Sequence, residues 1–407
     1  VFPAYYYDPE NVLCKIALND FIDPERAQQL QAAHPDIATW AEAFQSPKYL
    51  NDKNFVTGAG AYRVEQFDAD QGIVLVKKMN WWGDKLVASN PYLGAFPQKL
   101  IYRFIKDEAP VESLVRSGGL DVIPDLSASK FLELKKDSCL DDSYDFSMMG
   151  TTSYSRIMLN LRTPELADKN VRQALAHAVD YNYLLNTIQQ GTAERIVGPV
   201  NPAKVYYAKD ITPRDYNIEK ARSLLAAAGW KDTNGDGVAD KMLNGVPTEL
   251  ELTLIYPASP ISEQTAQSLQ TTARNAGFKI NLEKKDITTY REFLASGNFE
   301  IAVGGAALYP GLNEFYQNYH TKSIGSDNRF NLSDPALDAL IEQIRTESDE
   351  AKRNALYVRA QQRMYDLTPE LYLYAAQQRV IVSKRFNYVL SPNRPGYYEL
   401  YFRLLPQ

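Results

Sequence analysis

The segment from Leu159 to Asp180 constrains the fold more than any other part of the chain. Leu159-Asn160-Leu161 reads as a strand, Arg162-Thr163-Pro164-Glu165 as a proline-bearing turn, and the residues leading to Asp180 as a helix. Asp168 or Asn170 stands where an N-cap is needed, since a short side-chain oxygen there accepts one of the helix's unpaired first N–H groups. Val171, Leu175, Ala178 and Val179 recur at helical spacing and form one apolar face. A strand feeding an amphipathic helix is the building unit of α/β proteins.

The same punctuation recurs along the chain. Pro24 opens a predicted helix running through Gln31, and Trp40 to Phe44 suggest another. Gly58 and Gly60 form a tight turn before a strand carrying Tyr62, Val64 and Phe67. They are not a dinucleotide fingerprint, because the third glycine and the following helix are absent. Strands are expected at Gly72–Lys78 and Leu100–Ile105, and a helix at Pro110–Arg116 that ends at Gly118-Gly119. Further on, a helix at Tyr216–Ala228 closes at Gly229. A strand at Leu250–Tyr256 and a helix at Ser262–Ala276 precede a strand at Lys279–Glu283, and a helix at Tyr290–Ala295 precedes the apolar run Phe299–Gly305. Two amphipathic helices begin at Asp334 and Ala351, and Leu371-Tyr372-Leu373-Tyr374 starts a final strand region.

A chain of 407 residues exceeds what one hydrophobic core supports, so two lobes are expected. The net charge of -6 weighs against nucleic acid or an anionic membrane surface as partner. No apolar run approaches the ~20 residues that span a bilayer. The chain starts at Val1, which looks like a processed product, so a missing targeting segment says nothing about export. Cys14 and Cys139 are compatible with one disulfide in an exported protein or with two buried thiols. The 27 tyrosines suit a protein that lines a cleft with flat side chains bearing a polar tip, although half-buried strand positions account for most of them. Only three histidines are present, and no G-x-S-x-G elbow, P-loop or H-E-x-x-H occurs. A binding protein rather than an enzyme is expected. His177 is read as a helix-surface or packing residue. Asp232-Thr233-Asn234-Gly235-Asp236-Gly237 matches the first half of a calcium loop, but Leu243 replaces the bidentate glutamate. A plain turn is the first reading, with Asp232, Asn234 and Asp236 as weak metal candidates.

Several strings are more specific than periodicity. Gly58-x-Gly60-x-Tyr62, Asn80-Trp81-Trp82-Gly83, Gly118-Gly119-Leu120-Asp121, Asn160 to Asp180 with its Val171-Arg172-Gln173-Ala174-Leu175, and Lys220-Ala221 through Ala228-Gly229-Trp230 appear in one order. In that order they resemble the solute-binding proteins of the oligopeptide, dipeptide and nickel ABC transporters. The resemblance spans roughly residues 55–407. It implies a bilobal α/β periplasmic-binding-protein fold (type II, cluster C-like), with mixed sheets flanked by helices. Lobe I would comprise residues 1–155, incomplete because relatives carry further N-terminal strands. The second lobe would span 156–372, and 373–407 would return to lobe I, with crossings near 150–160 and 370–380.

The implied function is capture of a peptide or peptide-like solute between hinged lobes and delivery to a membrane permease. The protein would be monomeric, periplasmic or otherwise extracytoplasmic, free or lipid-anchored to the membrane, with no cofactor. Peptide binders of the family it resembles carry "G-W-x-x-D-Y-x-D/E-P" at the segment that here is Gly304-Gly305-Ala306-Ala307-Leu308-Tyr309-Pro310-Gly311-Leu312, with Gly305 at the Trp position. Leu308 replaces the acid that pairs with a peptide ammonium. Either another acid, with Glu314 nearest, supplies that charge, or the ligand is not a free-amine peptide. A sugar or metal-chelate binder of the same fold and a non-transport sensor domain are the alternatives. The expected ligand contacts are Tyr154, Arg156, Tyr309, Glu314, Phe315, His320, Tyr372 and Tyr374, with aromatic faces for packing and Arg156 for a carboxylate.

Overall fold

The computed structural model describes residues 7–21, 24–46, 58–243, 245–309, 311–391, 393 and 395–406. Helices α1 (Pro24–Ala33) and α2 (Pro35–Phe44) each start on a proline, whose missing N–H costs nothing in a first turn. Trp40 stacks on Phe44 and donates its indole N–H to the Tyr7 carbonyl at 2.8 Å. Strands β1 (Tyr62–Asp68), β2 (Gly72–Lys77) and β3 (Lys99–Arg103) form an antiparallel sheet. The glycine turn before β1 is held by the tryptophan pair: Trp81 and Trp82 both donate to the Ala59 carbonyl, at 2.9 and 3.0 Å. Gly83 is required beside them, because a Cβ there would lie 2.3 Å from the Trp81 ring.

Helix α3 (Glu108–Arg116), strand β4 (Val122–Pro124) and helix α4 (Ala128–Lys135) lead into β5 (Tyr144–Leu159), a strand of 16 residues. Helix α5 (Lys169–His177) is capped by Asp168, which accepts from the Asn170 N–H at 2.8 Å, so Asp168 rather than Asn170 is the cap. Its expected apolar face, Val171, Leu175, Ala178 and Val179, is buried. His177, at the helix end, contacts Asp215. A π-helical turn (Tyr183–Ile188) precedes β6 (Ala193–Arg195), and α6 (Ile218–Ala227) ends at Gly229 with φ +83°.

After a hairpin of β7 (Asp240–Leu243) and β8 (Val246–Glu249), β9 (Glu251–Pro257), α7 (Pro260–Arg274) and β10 (Lys279–Lys285) form a parallel βαβ unit. Helix α8 (Ile287–Ser296) stops at left-handed Gly297, and β11 (Ile301–Ala307) runs parallel to β9. Short α9 (Tyr316–Tyr319), α10 (Pro335–Thr346) and α11 (Glu350–Leu367) precede β12 (Glu370–Ser383).

The main sheet has the order β10-β9-β11-β5-β12-β4, with β6 also on β12. It is mixed, because β5 is antiparallel to both β11 and β12. The final halves of β5 and the first half of β12 pack with β9–β11 under α5, α6 and α7 on one face and α8, α10 and α11 on the other. The other ends of the same two strands pack with β4, α3 and α4 through Val111, Val115, Phe131, Leu134, Tyr144 and Ile381. Thus β5 and β12 run through both halves, and their pairing breaks register between Tyr372 and Tyr374 and between Ala375 and Gln378. β3 and β4 both line one cleft of about 670 Å³, together with Phe386, Tyr397 and Phe402.

The structure corrects both readings of the cysteines: Cys14 and Cys139 are free and exposed, neither paired nor buried.

Candidate functional site at the crossing strands

Alternation along β5 places Tyr154, Arg156 and Met158 on one face, and the cross-strand partner of Arg156 is Tyr372. At the base of this face sits Glu370, the first residue of β12, whose side chain has no exposed surface. Its carboxylate accepts from Arg156 Nη1 at 2.8 Å, from Tyr154 Oη at 3.3 Å, and from the Tyr319 hydroxyl. The Arg156 guanidinium lies 5.4 Å from the Phe330 ring centre. On its other side Gly304 pairs with Arg156, and a Cβ at Gly304 would stand 2.9 Å from Tyr290 Oη.

Burial dominates the electrostatics here. It pushes the phenols of Tyr154, Tyr319 and Tyr372 upward, and the Glu370 charge adds to the rise. Burial alone would lower Arg156, but the neighbouring Glu370 carboxylate outweighs it and holds the guanidinium above its usual value. Tyr290 is pushed up to about 12 by burial. A buried carboxylate and guanidinium persist only when each satisfies the other. Two buried atoms of this cluster, Arg156 Nε and Tyr372 Oη, have no hydrogen-bond partner among the described residues.

The eight expected contacts separate into distinct environments. Tyr154, Arg156 and Tyr372 meet around Glu370, inside the protein rather than on an open surface. Tyr374 lies on the opposite face, where its hydroxyl accepts from Gln189 Nε2 at 3.0 Å. Phe315 is buried edge-on to Tyr319 and Tyr357. His320 is 2% exposed, stacks on Tyr316 and accepts the Lys322 N–H, so it fixes a turn. Glu314 is half-exposed; it accepts the Tyr316 N–H at 2.8 Å and lies 3.4 Å from Arg345. Tyr309 is 56% exposed, and Leu308 just before it is buried against Tyr154, Ile196 and Tyr372.

In the loop after α6, Asp232 accepts the Gly235 and Gly237 N–H groups and Asp236 accepts that of Val238. These carboxylates close a turn, and among the described residues no group of three or more His, Cys, Asp or Glu could hold a metal ion.

Glu370 and Tyr319 are the residues that sequence reasoning missed. The signal was a lone acid opening the apolar run Leu371-Tyr372-Leu373, matched by a lone base in Tyr154-Ser155-Arg156-Ile157-Met158.

Solved structures share this architecture. The oligopeptide-binding protein AppA of Bacillus subtilis, in complex with a nonapeptide, superposes with a TM-score of 0.74 at 22% identity, covering 90% of this chain and 70% of that one. NikA of Brucella suis, in complex with Fe(III)-EDTA, gives 0.72 at 19% identity, covering 86% and 68%. The fold is therefore the bilobal α/β fold of the solute-binding proteins. Residues 16–327 match the bacterial extracellular solute-binding proteins, family 5 Middle, and the chain belongs to that family. In sequence it is 25% identical to B. subtilis AppA over 348 residues, which is 84% of this chain and 60% of AppA. It is 23% identical to the nickel-binding periplasmic protein of Escherichia coli over 344 residues, 83% of this chain and 63% of that protein. The chain thus spans about 60% of the length of such relatives.

Proposed function

We propose that this chain is the ligand-binding part of an ABC importer and captures a peptide or peptide-like solute in a cleft between two hinged lobes. The lobes are residues 1–155 with 373–407, and residues 156–372. The observation that carries this reading is the pair β5 and β12, which traverses both halves of the main sheet and loses regular pairing beyond Tyr372. Two side-by-side strands with interrupted pairing form a short hinge, and a ligand touching both lobes selects the closed state. Family membership and the naming of AppA as an oligopeptide-binding protein support a peptide as solute. The closed form is then what a membrane permease recognises, on the outer side of the cytoplasmic membrane. Among the described residues no helix is long and apolar enough to cross a membrane.

A second reading, a sugar or metal chelate as solute, is favoured by Leu308. That side chain packs against Tyr154, Ile196 and Tyr372 where a peptide's ammonium would require an acid. Glu314, the nearest acid, is already engaged with the Tyr316 N–H and Arg345. Mass spectrometry of the solute released by denaturing the purified protein separates the two readings. A ladder of short peptides is expected; a single sugar or chelate overturns the peptide reading.

A further inference from the structure

We infer that Glu370 is a positioning residue for the ligand cleft, fixing α9, and through it the segment that leads in from β11, to the crossing strands. This rests on the cleft reading above, which it deepens by naming what the cleft presents to its solute.

The carboxylate joins three stretches remote in sequence: Tyr154 and Arg156 on β5, Tyr319 on α9, and its own strand β12. Helix α9 has only four residues, far too few to be stable alone, so its placement is set by tertiary contacts. Tyr319 provides them: its ring stacks on Phe330 at 5.5 Å and its hydroxyl donates to Glu370. A buried ion pair is no better for stability than apolar side chains of the same volume. The arrangement makes physical sense as geometry, since a charged acceptor orients two hydroxyls that an apolar side chain could not.

What is held in place is the outward side of the same segment. Tyr309 and Leu312 are 56% and 59% exposed, while their neighbour Leu308 is buried over Tyr154. Lys204 donates to the Gly311 carbonyl at 2.6 Å and ties this segment to the loop after β6. The segment therefore offers exposed apolar and aromatic side chains, Tyr309 and Leu312, suited to an apolar side chain or ring of the solute.

The test is hydrogen exchange of the full chain without solute, comparing amides of residues 311–320 with those of α10. In Tyr319→Phe, which keeps both buried charges, exchange in 311–320 is expected to rise at least about tenfold while α10 is unchanged. The double variant Arg156→Met with Glu370→Leu removes the acceptor of both buried hydroxyls without leaving an unpaired charge and is expected to show the same local rise. Unchanged exchange in Tyr319→Phe overturns the inference, whatever solute the protein binds. A rise spread equally over α10 also overturns it, since it shows a general loss of packing.

Discussion

Tyr372 and Tyr374, two positions apart on β12, lie on opposite faces of the sheet. Strict alternation would put both on one face, as the sequence suggests. Instead the register moves by one between them: Tyr372 pairs with Arg156, and Tyr374 with the adjacent Ser155. A bulge adds one residue to a strand and inverts every side chain beyond it. Tyr372 thereby joins the Glu370 cluster, and Tyr374 joins Gln189 under α7.

The two tyrosines should respond differently to loss of the hydroxyl. Tyr374→Phe breaks the bond to Gln189 and should cost about 0.5–1.5 kcal/mol. Tyr372→Phe removes a buried hydroxyl that lies beside Glu370 and Tyr319 without a well-formed hydrogen bond, and should cost less than Tyr374→Phe. Urea unfolding of both variants checks the order; equal losses would contradict the difference in hydrogen bonding between the two hydroxyls.

Gly304→Ala should destabilise by about 1–3 kcal/mol, because its Cβ meets buried groups on a packed sheet face. The nearest are Tyr290 Oη at 2.9 Å and Met158 Cε at 3.2 Å. Adding Tyr290→Phe removes the closer of these and should recover part of the loss, which the same unfolding measurement reads.

Asp334 caps α10 through the Leu337 N–H and pairs with Arg363 through two hydrogen bonds, at 3.0 and 2.6 Å. The Arg363 bonds hold its pKa below the usual carboxylate range. A depressed pKa means stability that is fully present above the unfolded value, about 3.9, and is lost as pH falls through the folded value. Thermal melts below pH 4 should therefore fall more steeply for the unmodified protein than for Asp334→Asn. Parallel curves would show that the pair does not contribute.

Tyr309→Ala should leave the melting temperature unchanged, since the ring is more than half exposed. It should weaken retention of the solute roughly fivefold, the equivalent of about 1 kcal/mol of aromatic contact. Titration of the solute identified by mass spectrometry reads this directly. Unchanged affinity would remove Tyr309 from the cleft.

Local signals in the sequence specified most of the elements. Asp168 as a helix cap, Gly229 as a helix end, and the apolar face of Val171 and Leu175 all act over three or four residues. Helix α4 and the first half of β5 escaped notice because Ala128–Lys135 and Tyr144–Thr152 carry weak periodicity and polar residues. The site was legible only as residue types. Tyr154, Arg156 and Tyr372 are legible as aromatic and basic types, and the structure brings them together around an acid, Glu370, that no local pattern marks as their partner.

What the sequence by itself determined is the order of strands and helices and the family they belong to, since caps, turns and apolar spacing are short-range properties of the chain. Only the tertiary structure decided which side of β12 each tyrosine faces and that Glu370 lies against Arg156. Those outcomes depend on a one-residue shift in pairing between strands more than two hundred residues apart, and no local pattern encodes it.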